Sequence, residues 1–181
     1  MKKAYSVFLF ILMLSVFFSC ATIPEVSTEN IPLVERLDLE RFAGRWYEIA
    51  RMPFFLTDDL VNTTDTYVLK ENGEIEIIYE GYKDSPEGSR RVTRSRATVP
   101  DPRLPGLLKV HFFGLLSADY RVIAIEEDEY SYMAVTSGTK DTLWILCRTP
   151  QMDSDLYKRL LLSLERQGFD IDSLVKVEQR W

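Results

Sequence analysis

Short segments rich in aromatic and β-branched residues recur along most of this 181-residue chain, with turn residues between them. Asn72 and Gly73, a pair that readily adopts positive φ, follow one such segment and are typical of a tight hairpin. Eight segments predict strands, at residues 44–52, 64–70, 74–81, 91–99, 107–113, 120–126, 131–137 and 142–148. Short connections favour antiparallel neighbours, and closure of the sheet would remove its exposed edges. The sequence therefore predicts an all-β fold, an eight-stranded antiparallel up-and-down β-barrel.

One helix is predicted after the last of these strands. Asp153 or Ser154 can cap its start, and Leu156, Leu160 and Leu164 form one apolar stripe at helical spacing. We expect this C-terminal α-helix to pack outside the barrel, followed by a short strand.

The N-terminal residues 1–19 predict an export signal. Lys2 and Lys3 precede an apolar run at residues 7–18, which is shorter than the about 20 residues that a membrane-spanning helix needs. The chain should therefore leave the cytoplasm.

Cys20 follows this signal directly, after the small Ser19. This order resembles the lipobox at which bacterial lipoprotein precursors are cleaved and acylated, so we expect lipidation at Cys20. Simple secretion and a retained anchor are the alternatives. The polar, proline-containing stretch that follows predicts a flexible tether, which we assign with Cys20 to residues 20–36 and which precedes a domain at residues 37–181. We expect the protein to lie in the cell envelope, anchored to the outer membrane.

Charge and motifs exclude several classes of function. The chain has 22 Lys and Arg against 28 Asp and Glu, and no long basic run that could neutralise the phosphates of a nucleic acid. The only histidine, His111, lacks metal-ligand spacing to other residues, and no glycine-framed serine or glycine-rich phosphate loop occurs. Cys147 is expected to be a small buried hydrophobe. We expect no metal, no cofactor and no enzymatic activity.

The first predicted strand has an unusual composition on one face. Because strand side chains alternate between faces, Gly44, Trp46, Glu48 and Ala50 share a face. Branched aliphatic residues would be typical of a packed core strand, and none occurs here. If Glu48 is buried, it needs a tyrosine hydroxyl, an arginine, water or a polar group of a ligand.

Barrel closure would make the first and last strands neighbours, with Trp46 and Arg148 at the same end. A guanidinium over an indole gains about 0.5–2 kcal/mol. Gly44 would leave room beside them, so we expect Gly44, Trp46 and Arg148 to form the barrel floor.

Two motifs at opposite ends of the domain resemble the lipocalins. GRWYEIAR spans residues 44–51 and LWILCRTP spans residues 143–150, and the predicted helix follows them. TDTYVLKENGEIEI, LKVHFFG and YRVIAIEED lie between them in the expected order. The resemblance runs from about residue 37 to the C-terminus and is strongest to the bacterial lipoprotein branch. It implies a calyx, closed at the Trp46 end and open at the other, that binds a small hydrophobic ligand.

Strand alternation and this resemblance together nominate the cavity wall. The expected ligand-binding residues are Trp46, Glu48, Tyr67, Leu69, Ile77, Tyr79, Val110, Phe112, Trp144 and Leu146. A fatty acid or lysophospholipid is the expected ligand, and the aromatic lining also suits a flat ligand such as a tetrapyrrole or sterol. The alternatives are an enzyme that uses Cys147 or Glu48 on a lipid, and a scaffold with a filled barrel.

Two connections expected at the open end, residues 52–62 and 113–119, carry large apolar side chains. They either fold over the mouth as a lid or contact the membrane. A homodimer is possible, and the sequence does not determine the oligomeric state.

Overall fold

The computed structural model describes residues 31–112 and 116–181 of the chain. The predicted export signal, Cys20 and part of one predicted mouth loop lie outside the described residues. The helices are α1 (Leu39–Phe42) and α2 (Ser154–Arg166), with a 3-10 helix at Ile171–Ser173. The strands are β1 (Gly44–Arg51), β2 (Leu60–Leu69), β3 (Ile75–Lys83), β4 (Arg90–Thr98), β5 (Leu107–Phe112), β6 (Leu116–Ile125), β7 (Tyr132–Thr136), β8 (Trp144–Cys147) and β9 (Val175–Lys176).

Strands β1 to β8 form a closed antiparallel barrel. Each strand pairs with its neighbour in sequence, and β1 pairs with both β2 and β8. Trp46 lies opposite Asp65 in the first of these pairings, and Glu48 lies opposite Leu146 in the second. The predicted all-β class, the eight-stranded up-and-down barrel and the helix after it are confirmed.

A β-bulge in β1 reverses the side-chain pattern that simple alternation predicts. After Glu48 the register shifts, so that Ala50 lies opposite Ile145 and Arg51 lies opposite Trp144. The prediction that Ala50 faces the interior with Glu48 is therefore wrong. Ala50 is buried in the outer cluster under α2, and Arg51 takes the inward-facing position.

Helix α2 covers the outer face of the barrel. The Asp153 carboxylate accepts hydrogen bonds from the amides of Asp155 and Leu156, which confirms one of the two predicted caps. Leu160 and Leu164 of the apolar stripe are buried against the barrel. No helix in the described part of the chain has the length and apolar character to cross a membrane.

Ile31 and Val34 contact the barrel, although the sequence assigned them to the tether. Ile31 is buried, and its carbonyl accepts a hydrogen bond from Arg121 Nη2 at 3.1 Å. The Val34 amide donates to the Val122 carbonyl at 3.0 Å. So short a segment has no periodicity that would predict this packing.

The C-terminal segment completes the wall where β1 and β2 separate. The Val177 amide donates to the Ile49 carbonyl at 3.0 Å. The Gln179 side-chain amide donates to the carbonyls of Glu48 and Thr63, at 2.8 and 2.9 Å. The chain end therefore closes the barrel directly behind the Glu48 side chain.

Candidate ligand site inside the barrel

The closed end of the barrel is built around a guanidinium stacked on an indole. Arg148 Cζ lies 3.7 Å from the centre of the Trp46 ring. Trp46 is fully buried, and its Nε1 donates to the Phe42 carbonyl at 2.8 Å. The Arg148 guanidinium also donates to the carbonyls of Ala43 and Arg45, both at 2.9 Å. Backbone carbonyls therefore hold the charge of Arg148 at this end.

Gly44 at the start of β1 is required by this arrangement. Its φ is +99°, and a Cβ at this position would lie 3.2 Å from Arg148 Nη1. Helix α1, which the sequence analysis missed, places the fully buried Phe42 ring 4.5 Å from the Tyr67 ring. The lower part of the barrel is therefore a packed core.

A hydrogen bond crosses the interior above this core. The hydroxyls of Tyr67 in β2 and Tyr120 in β6 lie 2.5 Å apart, and these strands stand on opposite walls of the barrel. Burial raises the pKa of both tyrosines well above the usual value, and nearby Asp65 raises both further, so both hydroxyls stay protonated. We refer to this contact as the cross-barrel bond. Tyr120 was missed, although it alternates with the buried Val122 and strand parity could have identified it.

Glu48 lies above the cross-barrel bond and is fully buried. Its Oε2 accepts hydrogen bonds from Arg51 Nη1 at 3.3 Å and from the Tyr79 hydroxyl at 3.2 Å, while Oε1 has no partner among the described residues. Burial raises the pKa of Glu48, and the charge of Arg51 partly offsets this rise. The sequence required a tyrosine, an arginine, water or a ligand group for Glu48, and the structure provides the first two.

Arg51 connects this carboxylate to the mouth. Its Nη2 donates to the carbonyl of Leu60 at 3.1 Å and also to that of Thr57, in the connection between β1 and β2. Simple alternation would place Arg51 on the outer face, opposite to Trp46 and Glu48, because a bulge leaves no reliable signal in the sequence.

Asp65 is a second carboxylate on the inward face. The register places it between Trp46 and Tyr79, in neighbouring strands. Burial raises the pKa of Asp65 well above its usual value, and the nearby charge of Glu48 raises it further. No described residue forms a hydrogen bond or ion pair with this carboxylate. Sequence reasoning missed Asp65, although its alternation with Tyr67 could have identified it.

The register places all ten residues predicted to bind the ligand on the inward face. Glu48 and Tyr79 meet in the hydrogen bond described above. The inner apolar cluster contains the other eight, of which Trp46, Tyr67, Ile77, Val110 and Leu146 are buried and Leu69, Phe112 and Trp144 are half-buried. Their role in binding a ligand stays a prediction.

The upper interior is more open than the core below. Thr93 is exposed although it lies opposite the inward-facing Tyr79, and Phe112 and Trp144 are only half-buried. Within the described residues, β4 pairs with β5 only over residues 96–98, so the earlier part of β4 lacks a partner on that side. Solvent therefore reaches the inner face above the cross-barrel bond.

Large apolar side chains lie at the open end. Phe55 is 81% exposed, Leu56 is 57% exposed and Leu116 is 65% exposed. A lid folded over the mouth would bury these side chains, and this arrangement does not.

Two chemically reactive residues lie on the outer face. His111 is opposite Arg96 and Ser117 in the neighbouring strands. Cys147 is buried, with its Sγ 3.4 Å from the Thr149 hydroxyl. Neither points toward the interior carboxylates.

The sequence also matches known proteins along most of its length. A family model described as a lipocalin-like domain matches residues 37–179. The chain belongs to the lipocalin family. This lipocalin is 34% identical over 151 residues to the outer membrane lipoprotein Blc of Citrobacter freundii, an alignment that covers 83% of this chain and 84% of the relative. It is 28% identical to the outer membrane lipoprotein Blc of Vibrio cholerae, over 95% of this chain and 98% of the relative.

Solved structures share the lipocalin fold at lower identity. Insecticyanin from the tobacco hornworm Manduca sexta superposes with a TM-score of 0.69 at 18% identity, covering 83% of this chain and 85% of that one. This likeness shows the fold alone. The predicted resemblance to bacterial lipoprotein lipocalins is confirmed by the sequence relatives.

Proposed function

We propose that this lipocalin is a non-enzymatic, lipid-anchored binding protein that holds a fatty acid or lysophospholipid in the upper half of its barrel. The observation that carries this proposal is the pair of half-buried aromatic side chains on the inward face near the mouth, Phe112 and Trp144. In a filled barrel these side chains would be packed as tightly as Trp46 and Tyr67 below them.

The expected affinity follows from the burial of an alkyl chain. Each buried methylene contributes about 0.8 kcal/mol, so ten methylenes contribute roughly 8 kcal/mol before other terms. Ordering of the chain and lost translational freedom offset part of this gain. A dissociation constant on the order of micromolar is therefore reasonable.

The membrane is the proposed source of the ligand. The bacterial relatives are named as outer membrane lipoproteins, which supports lipidation of Cys20 and an outer-membrane location for this chain. The exposed Phe55, Leu56 and Leu116 at the mouth would then meet lipid directly. An anchored barrel with an apolar rim could take up an amphiphile without releasing it into water.

The anchor can be tested by mass. The intact protein purified from membranes should carry the added mass of acyl chains at Cys20, and Cys20→Ser should appear unmodified in the soluble fraction. An unmodified Cys20 in membrane-purified protein would contradict lipid anchoring.

Ligand binding can be tested with a fluorescent fatty acid titrated into full-length protein stripped of bound lipid. We expect saturable binding, and Trp144→Ala should weaken it about tenfold because an inward-facing indole is lost. Leu162→Ala, on the exposed face of α2, is the matched control and should leave binding unchanged. Protein that binds neither a fatty acid nor a lysophospholipid would contradict the proposed ligand class. Protein that also binds neither a sterol nor a tetrapyrrole would contradict the binding function itself.

The enzyme alternative has a separate readout. Incubation with candidate lipids should return them chemically unchanged. Turnover that disappears in Glu48→Gln or Cys147→Ser would overturn the binding function in favour of catalysis.

A further inference from the structure

The upper interior contains more negative than positive charge. Glu48 and Asp65 face inward, and Arg51 is the cation that pairs with Glu48. Arg91 also lies on the inward side, at the mouth, but its guanidinium pairs with Asp59, 3.1 Å away. Among the described residues, one carboxylate charge inside the barrel therefore has no counter-charge when both acids are ionised.

Oxygen atoms that can accept hydrogen bonds are also left without donors at this place. Glu48 Oε1 is buried and unpartnered, and the Asp65 carboxylate has no partner among the described residues. Thr63 lies close enough to Glu48 for its hydroxyl to favour the charged carboxylate, but the two form no hydrogen bond in this structure, and the Thr63 hydroxyl has no other partner among the described residues. A buried acceptor without a donor is costly, so the unpartnered Glu48 Oε1 points to a donor supplied from outside the chain. The half-buried Asp65 carboxylate is accessible to the same donor.

Aromatic residues neighbour Asp65 in the sheet, although Arg148 already covers one face of the Trp46 ring. Trp46 and Tyr79 are the cross-strand neighbours of Asp65, and Tyr67 is the next inward-facing residue along β2. The faces of such rings attract a cation, most strongly where water is excluded. The surroundings therefore favour a positively charged group over a negative one.

We propose that Glu48 and Asp65 form a subsite for a protonated amine at the buried end of an amphiphilic ligand. An ammonium would balance the second carboxylate, and its N–H groups would donate to the unpartnered oxygens. A fatty acid carboxylate in the same position would add negative charge and no donor. The subsite rests on the proposed function, since it requires a ligand inside the barrel, and of the two proposed ligand classes it disfavours a fatty acid whose carboxylate enters the barrel first.

The test compares three ten-carbon probes: decylamine, decanol and decanoic acid. Each is titrated at pH 7 by calorimetry into full-length protein stripped of bound lipid. We expect decylamine to bind at least tenfold more tightly than decanol and decanoic acid. Asp65→Asn should reduce the affinity for decylamine to that for decanol, while leaving the affinity for decanol unchanged.

Asp119→Asn is the matched control. Asp119 lies on the outer face and pairs with Lys109 at 2.9 Å, so its removal should change the affinity for none of the probes. The subsite is wrong if decylamine binds no more tightly than decanol, or if Asp65→Asn weakens both probes equally. Decanol binding would preserve the proposed function in either case, whereas no binding by any probe would overturn both.

A second measurement needs no variant. Carboxyl NMR of the unmodified protein should show the pKa of Asp65 falling when decylamine is bound, because a nearby cation stabilises the carboxylate. An Asp65 titration that is identical with and without bound decylamine would overturn the subsite.

Discussion

The two ends of the barrel use the same residue types in different ways. At the closed end, the fully buried Trp46 lies under Arg148, whose guanidinium donates to several backbone carbonyls. Near the open end, Trp144 is half-buried, and Arg51 pairs with the Glu48 carboxylate as well as with two backbone carbonyls. One oxygen of that carboxylate has no donor among the described residues. Packing and hydrogen bonding thus stabilise the fold at the closed end, while the open end has half-buried aromatic side chains and an unpaired carboxylate oxygen, which the proposed ligand would contact.

Matched tryptophan substitutions should separate the two ends most clearly. Trp46→Ala should lower the free energy of unfolding by about 3–5 kcal/mol, because it leaves a cavity and removes the surface under Arg148. Trp144→Ala should cost less than half as much, since part of that ring is already exposed. Chemical denaturation of both variants is the measurement. Equal losses would contradict the division between a packed end and an open end.

Arg51→Met should lower the free energy of unfolding almost as much as Trp46→Ala. It leaves the Glu48 carboxylate buried without its cation, for which the expected cost is about 3–5 kcal/mol. In a Glu48→Gln background the same change should cost much less, because no buried charge is left unpaired. Denaturation of the single and double variants tests this coupling, and additive losses would show that the ion pair is not the cause.

Gly44→Ala tests the closed end by a smaller change. In this variant the left-handed φ and the contact between the added Cβ and Arg148 should together lower the free energy of unfolding by about 1–3 kcal/mol. Gly73→Ala is a useful control, since Gly73 also has positive φ but no atom lies within 4 Å of the added Cβ. A larger loss at Gly73 than at Gly44 would mean that backbone strain outweighs crowding at the floor.

The smallest effect is expected from Asp65→Asn, and it should be stabilising. Asp65 has a folded-state pKa well above its unfolded value of about 3.9, so ionisation costs more in the folded state. Asp65 therefore does not lower the free energy of unfolding below about pH 3.9, where it is protonated in both states. The loss of stability grows as the pH rises through the folded-state pKa. The variant should therefore match the native chain at low pH and gain up to about 1 kcal/mol near neutrality, because the half-exposed site screens the charge.

Unfolding free energies of the two proteins, measured from pH 3 to pH 8, test this difference. A gain from Asp65→Asn that is independent of pH would show that the carboxylate charge is not responsible.

Much of the fold can be predicted from the sequence because its signals are local. Alternation, turn residues and the capped leucine stripe predict the eight strands and α2 without reference to distant contacts. Helix α1 was missed because four residues are too few to show a helical period, and it depends on burial of Phe42. The packing of Ile31 was missed for the same reason.

The sequence by itself determined the barrel, the inward faces of most strands, and the presence of Trp46 and Arg148 at one end. Only the tertiary structure decided which side chains meet at the cross-barrel bond and above it. The bulge in β1 turns Arg51 inward toward Glu48, and barrel closure brings Tyr120 to Tyr67 from the opposite wall. Strand periodicity acts over two residues, whereas a register shift and a contact across the barrel depend on the whole closed sheet.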